Sequence, residues 1–301
     1  MKEIIECVPN ISEGQREDVI QMIVQPLREI KDLKLLSVSS DKDHNRTVIT
    51  VMGTRESLYE GIIKLYGKAV QYIDLRKHKG EHPRAGAVDV CPFVPIKNIT
   101  AEDCIELAKK VASAIAEQFK IPVYLYEDAA TKEDRKDLAT IRKGEFEGFF
   151  DKIKLPQWAP DYGERAVHPS AGVTVIGARM PLIAYNINLN TSSVDIAKKI
   201  AKVIRHSGGG LRYVKALGMM LHDRNIAQVS INMTNYKLSS LSRVFEMVKS
   251  EAARYGVYIV GSEIVGLVPQ ESLIDVAEFY LQLENFNSNQ ILENKIYQAE
   301  E

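Results

Sequence analysis

Three of the six histidines, His44, His78 and His82, fall in polar stretches. His82 has the most suggestive surroundings. It sits in GEHPRAG, with Gly80 two positions before it and Pro83 directly after, a context that keeps it off a helix. Glu81 and Arg84 flank it with both charge signs. A free imidazole titrates near pH ~6.5, so a loop histidine of this kind can take and return a proton in one catalytic cycle. The same residues also suit a surface histidine in a polar turn, and spacing alone leaves both readings open.

Other stretches offer weaker chemistry. His78 and His82 stand four apart, as a helical zinc pair would. However, Gly80 and Pro83 oppose a helix, and HKGEH lacks the HExxH order, so a solvated polar loop is the better reading and no metal is expected. The loop SDKDHNRT carries Asp41, Asp43, His44, Asn45 and Arg46. It could hydrogen-bond a polar ligand, although its composition favours a hydrophilic hairpin turn. SGGG at 207–210 lacks both phosphate-loop spacings and follows a helical pattern, which makes it a turn. The stretch WAPDYGERAVHPSAG at 158–172 joins an indole and a phenol to prolines and polar groups. Such a segment suits a flat heteroaromatic ligand, or an interdomain strap with Trp158 as its core anchor.

These loops need elements to position them. Strands are expected at 3–8, 33–39, 46–51, 87–95 and 122–126. Helices are expected at 15–30, after Thr54 with Leu58, Ile62, Leu65 and Ala69 on one face, and after Thr100, where Thr100 and Asp103 form a capping box. Residues 127–150 read as small helices and turns, and 151–172 as an ordered loop. Beyond it, strands at 182–189, 215–221, 227–233 and 257–260 alternate with helices at 192–205, 238–255 and 270–283. Gly256 falls where a left-handed cap belongs, and the tail after Glu284 is polar. Both halves give the succession βαββαβ. The expected fold is therefore α+β, with two ferredoxin-like subdomains, 1–178 and 179–301, and a ligand cleft between them.

Composition narrows the class. The chain has 301 residues, 45% hydrophobic and 26% charged, which are ordinary globular values. Its 39 basic and 40 acidic residues give a net charge of −1, without the basic excess of a nucleic-acid surface. Cys7, Cys91 and Cys104 form no CxxC pair and point to buried thiols in a reducing compartment. No apolar run approaches membrane-spanning length and MKEIIECVPN has no signal core, so a cytoplasmic protein is expected.

Several longer stretches together resemble one family. ECVPNISEG at 6–14, HNRTVIT at 44–50, HKGEHPRAGAVDVCPFVP at 78–95, WAPDYG at 158–163, GVTVIGARMPLIAYNINL at 172–189 and VGLVP at 265–269 are similar to the glutamate formimidoyltransferases. The resemblance covers about residues 3–284. It implies two α/β subdomains, a homodimer and tetrahydrofolate as co-substrate. The formimidoyl group would pass between N-formimidoyl-L-glutamate and tetrahydrofolate, in histidine degradation and one-carbon metabolism. It places the catalytic histidine at His82. It places folate contacts at Gly163, Glu164, Arg165, Ala166, Val167, His168, Pro169, Ser170, Ala171 and Gly172. Asp41, Asn45, Arg46 and Arg84 become candidates for binding the substrates, the arginines because a guanidinium fork matches a carboxylate. At Ser39 the chain departs from the animal-type pattern, which has an acid there, and Asp41 is the nearest substitute. A cyclodeaminase step would belong to a separate protein. A glutamate N-formyltransferase using 5-formyltetrahydrofolate, a non-catalytic folate binder and a metallohydrolase using His78 and His82 are the competing readings.

Overall fold

The computed structural model describes residues 3–80 and 83–300. The described chain divides into two compact units, 1–180 and 181–301. None of the described helices is long and apolar enough to cross a membrane.

Unit 1 runs β1 (Ile4–Cys7), β2 (Asn10–Ile11), α1 (Glu17–Arg28), β3 (Leu33–Asp41), β4 (Arg46–Gly53), α2 (Arg55–Tyr72), β5 (Val88–Lys97), α3 (Ala101–Phe119), β6 (Val123–Glu127), α4 (Leu138–Arg142), α5 (Glu145–Lys152) and β7 (Thr174–Ala178). Its sheet runs β3–β4–β1/β2–β5–β7–β6. The pairs from β3 to β5 are antiparallel, and β5–β7 and β7–β6 are parallel. The first four positions are a split βαβ sheet, and β7 and β6 extend it.

The helices form where expected because apolar residues recur at three and four. Ile23 and Leu27 of α1, Leu58 and Ile62 of α2, and Val111 and Ile115 of α3 pack on Ile5, Val51 and Phe93. Thr54 accepts from the Ser57 amide, and Thr100 and Asp103 close the expected capping box. Alternate residues of the parallel strands, Val90, Tyr124, Tyr126 and Val175, point to the opposite face. There they meet Ile141 of α4 and Phe149 of α5. The β5–β7–β6 end is thus buried on both faces, which explains its unbroken apolar runs.

Unit 2 runs β8 (Ile183–Leu189), α6 (Val194–Ile204), β9 (Val214–Leu221), β10 (Ile226–Met233), α7 (Leu241–Ala253), β11 (Ile259–Val265), α8 (Gln270–Leu281) and α9 (Leu292–Glu300). Its antiparallel sheet has the order β11–β8–β10–β9, again the split βαβ arrangement. Ile187 and Ile231 meet Ile200 of α6 and Val244 of α7 on one face.

Several elements differ from the sequence expectation, among them the short β2 and the helix α9 in the polar tail, neither of which was foreseen. Strand β7 was not foreseen, although Val173 to Ile176 is an apolar, mostly β-branched run ahead of Gly177. Strand β11 lies later than 257–260 and extends to Val265. It is an edge strand whose polar Ser262 and Glu263 pair with β8, so its pairing shows in register rather than in hydrophobicity.

One buried contact links β7 to the helical layer. The Tyr66 hydroxyl of α2 lies 2.7 Å from Thr174 Oγ1, and both residues are buried. Burial pushes the phenol well above its ordinary value, so it stays protonated. Tyr66→Phe should lower unfolding stability by about 1–3 kcal/mol, because the threonine hydroxyl loses its buried partner. An unchanged urea midpoint would count against this contact.

Candidate active site

The expected catalytic residue, His82, and its neighbour Glu81 lie outside the described residues. The chain on either side of them is tightly specified. On the N-terminal side, His78 Nε2 donates to the Asn45 carbonyl at 2.9 Å, and His78 Nδ1 accepts from Arg84 Nε at 3.2 Å. Both ring nitrogens are therefore used within the protein, which removes His78 as a ready metal ligand. Asn45 has a φ of 49° and is buried. Its Oδ1 accepts from the Gly14 amide at 2.8 Å and its Nδ2 donates to the Lys79 carbonyl at 2.9 Å. Gly80 passes so close to the His44 carbonyl and Asn45 that a Cβ would collide with them.

On the C-terminal side, residues 85–87 are clasped from two directions. Ser12, just after β2, donates its amide to the Ala87 carbonyl at 2.9 Å and its hydroxyl to the Gly86 carbonyl at 2.7 Å. From the other side, Ala87 N donates to Ala171 O at 2.9 Å and Val173 N donates to Ala85 O at 3.0 Å. Leu75 N also donates to Ser170 O at 2.9 Å. A Cβ on Gly86 would run into the Val173 carbonyl, and one on Gly172, where φ is 73°, into the Ala85 carbonyl. The NISEG and HPSAG motifs therefore meet across the end of the histidine loop.

Charged residues fasten the same loop. Arg84 is 11% exposed, and its Nη1 and Nη2 lie 2.7 Å from Glu145 and Glu147 of α5. Burial works against the Arg84 cation, yet the two glutamates hold its pKa above the ordinary value. The buried Asp89 carboxylate accepts from the Ala85 amide at 2.7 Å and pairs with Arg142 of α4. Arg46 is pressed below its ordinary value by burial and by the nearby Arg142 charge, with Asp89 opposing the shift. Asp41 accepts from the His44 amide at 2.9 Å and meets His44 Nδ1 at 2.8 Å. Burial raises its pKa, but the His44 hydrogen bonds outweigh that and leave the carboxyl below its ordinary value.

The second expected site, 163–172, is a strap anchored at its start by Asp161. That carboxylate accepts from the Leu125 amide at 2.9 Å and from Arg135 Nη1 at 2.6 Å. Arg135 is buried, and it also donates to the Gln157 and Ala159 carbonyls at 3.0 and 2.6 Å. Tyr124 donates to the Trp158 carbonyl at 2.6 Å. Further on, His168 Nδ1 accepts from the Ala171 amide at 3.0 Å, and His168 and Gly172 exchange backbone hydrogen bonds. A cavity of about 570 Å³ lies between the C-terminal end of α3 and this strap. Its lining includes Ala116, Glu117, Lys120, Gly163, Val167 and His168. That volume is in the range of small-molecule sites.

Sequence reasoning singled out the two loops but not their supports. Asp89, Arg142, Glu145 and Glu147 were not singled out. Asp89 could have been suspected as an acid inside the apolar run 87–95, since a buried charge needs a partner. The glutamates of α5 gave no signal, because they resemble any solvated helix start.

The formiminotransferase N-terminal subdomain family matches residues 4–179, and the formiminotransferase domain family matches residues 184–298. The chain is 54% identical over 297 residues to the glutamate formimidoyltransferase of Streptococcus pyogenes serotype M1, covering 98% of this chain and 99% of that one. It is 46% identical over 298 residues to the glutamate formimidoyltransferase of Thermoplasma acidophilum, covering 98% of each. It is also 42% identical over 290 residues to the formimidoyltransferase-cyclodeaminase of Rattus norvegicus, covering 94% of this chain and 53% of that protein.

Two outcomes follow from the strap geometry. Asp161→Ala leaves the buried Arg135 cation without its carboxylate and should cost about 3–5 kcal/mol in denaturant unfolding; a loss below 1 kcal/mol would refute the buried pair. Burial lowers the His168 pKa. The folded state then binds that proton less readily than the unfolded chain. The associated stability is complete above the ordinary imidazole value near ~6.5 and falls as pH drops from there towards the lowered value. Thermal unfolding of His168→Gln should show a shallower fall between pH 7 and 5 than the parent protein. Parallel curves would remove His168 from the account.

Proposed function

The chain belongs to the formiminotransferase family, and from that premise we propose a glutamate formimidoyltransferase whose proton-transfer group is His82. The reaction converts N-formimidoyl-L-glutamate and tetrahydrofolate to 5-formimidoyltetrahydrofolate and L-glutamate. Near-full-length identity of 54% to a protein of that name carries this reading.

The chemistry sets what the residues must do. N5 of tetrahydrofolate attacks the amidine carbon of the donor, and a tetrahedral adduct forms. The N5 nitrogen must then lose a proton, and the glutamate nitrogen must gain one before its bond to carbon breaks. One imidazole can accept the first proton and deliver the second, which is the role of His82. Anchoring of the chain on both sides of His82 supports this role, because a shuttle must be held within hydrogen-bond reach of both nitrogens. The strap 163–172 and its cavity are the folate-contacting segment in this reading.

The four substrate-binding candidates take different roles in this reading. Asn45 and Arg84 are hydrogen-bonded within the protein and act by positioning the loop. Asp41, itself bonded to His44, and Arg46 are assigned to the substrates, Arg46 to a carboxylate. Tetrahydrofolate serves as co-substrate, and the mechanism has no step that calls on a metal. The protein works as a cytoplasmic homodimer in histidine degradation, with a cyclodeaminase consuming its product.

The test follows formation of 5-formimidoyltetrahydrofolate by the wild type and by His82→Ala. The variant should keep the wild-type circular dichroism and lose about 10²- to 10⁴-fold in kcat. A variant at near-normal rate contradicts the shuttle. Transfer from N-formyl-L-glutamate in preference to the formimidoyl donor contradicts the assigned substrate.

A further inference from the structure

The imidazole of His168 has two nitrogens, and the fold uses only one of them. His168 Nδ1 accepts from the Ala171 amide at 3.0 Å and from the Ser170 amide at 3.3 Å. An accepting ring nitrogen carries no proton, so the proton of the neutral ring sits on Nε2. Burial also lowers the His168 pKa, which keeps the ring neutral at neutral pH. Among the described residues, Nε2 has no hydrogen-bond partner, and it does not belong to their buried, unpaired side-chain atoms. His168 lines the cavity of about 570 Å³ beside α3. The same turn is tied down behind the ring. The Ala171 carbonyl accepts from the Ala87 amide and the Ser170 carbonyl from the Leu75 amide, both at 2.9 Å. The cavity therefore has one donor whose place is fixed by the backbone that clasps segment 85–87.

The charged groups of the cavity are not fixed in this way. Glu117, Lys120 and Glu164 are exposed, and no described residue bonds their side chains. Two carboxylates and one ammonium leave the lining acidic, so a bare carboxylate gains little at His168. A neutral carbonyl escapes that repulsion. Ala116, Val167 and Pro169 offer apolar surface to a flat ring beside it. A pterin edge flanks its carbonyl with N–H groups and needs an oriented acceptor as well as a donor. A single fixed donor next to an apolar wall suits an aromatic amide instead.

We propose that His168 Nε2–H donates to the carbonyl of the p-aminobenzoyl amide of tetrahydrofolate, with the benzoyl ring against Ala116 and Val167. His168 is a specificity residue for the co-substrate and takes no part in proton transfer. This assignment rests on the folate reading of the strap given above.

Two substitutions separate the two nitrogens. Asparagine offers an acceptor near the Nδ1 position and no donor at the Nε2 position, and glutamine does the reverse. His168→Asn should raise the KM and the calorimetric dissociation constant for tetrahydrofolate about three- to tenfold, the range of one neutral hydrogen bond. His168→Gln should recover most of that affinity, although its unfolding midpoint falls with the lost strap acceptor. The KM for N-formimidoyl-L-glutamate should stay within about twofold in both. 6-Methyltetrahydropterin, which lacks the benzoyl amide, should bind wild type and His168→Asn alike. A purely structural histidine would reverse the order, with His168→Gln the weaker binder, and that order overturns the proposal. A loss in His168→Asn that carries over in full to 6-methyltetrahydropterin also overturns it, because the carbonyl would then be the pterin's. A wild type that binds tetrahydrofolate without transferring the formimidoyl group overturns the transferase reading instead, and the dissociation constants of the two variants still decide on His168.

Discussion

The short segment 85–87 is the constraint on which the active-site side of unit 1 depends. Ser12 clasps it from the β2 side, and Ala171 and Val173 clasp it from the strap. Each hydrogen bond contributes only about 0.5–1.5 kcal/mol net. Their value lies in direction, since they fix the path of the backbone leaving the GEHPR motif. The close approach leaves no room for a Cβ at Gly86 or Gly172. Three motifs far apart in the chain, NISEG, GEHPRAG and HPSAG, are thus one structural unit.

The charges around that unit divide their labour. Arg84 is drawn into two glutamates of α5, and Asp89 ties Arg142 of α4 to the Ala85 amide. These pairs hold the small helices against the loop, and the apolar cluster of Tyr124, Ile141, Phe149 and Val173 supports them. A guanidinium near a catalytic motif need not bind substrate. Buried between carboxylates, it serves to hold the protein's own chain.

Much of this was legible before the structure. The βαββαβ succession follows from hydrophobic period and caps such as Thr100 with Asp103, because those are local properties. The histidine loop and the strap stood out through Pro, Gly and aromatic content. Strand β7 was hidden because a short apolar run after a Pro- and Gly-rich stretch reads as more loop. Strand β11 was displaced because its pairing with β8 is polar at Ser262 and Glu263. The Glu145 and Glu147 contacts to Arg84 join residues about sixty positions apart, and no local pattern encodes them.

The central claim is that the strap and the histidine loop form one clasped, folate-responsive unit. Hydrogen exchange of the backbone amides, with and without tetrahydrofolate, tests it most directly. The account predicts that Leu75, Ala87 and Val173 exchange slowly and together in the free protein, and more slowly still once tetrahydrofolate is bound. Rapid, independent exchange of these three amides, or protection by tetrahydrofolate that leaves 163–173 unchanged, would contradict it.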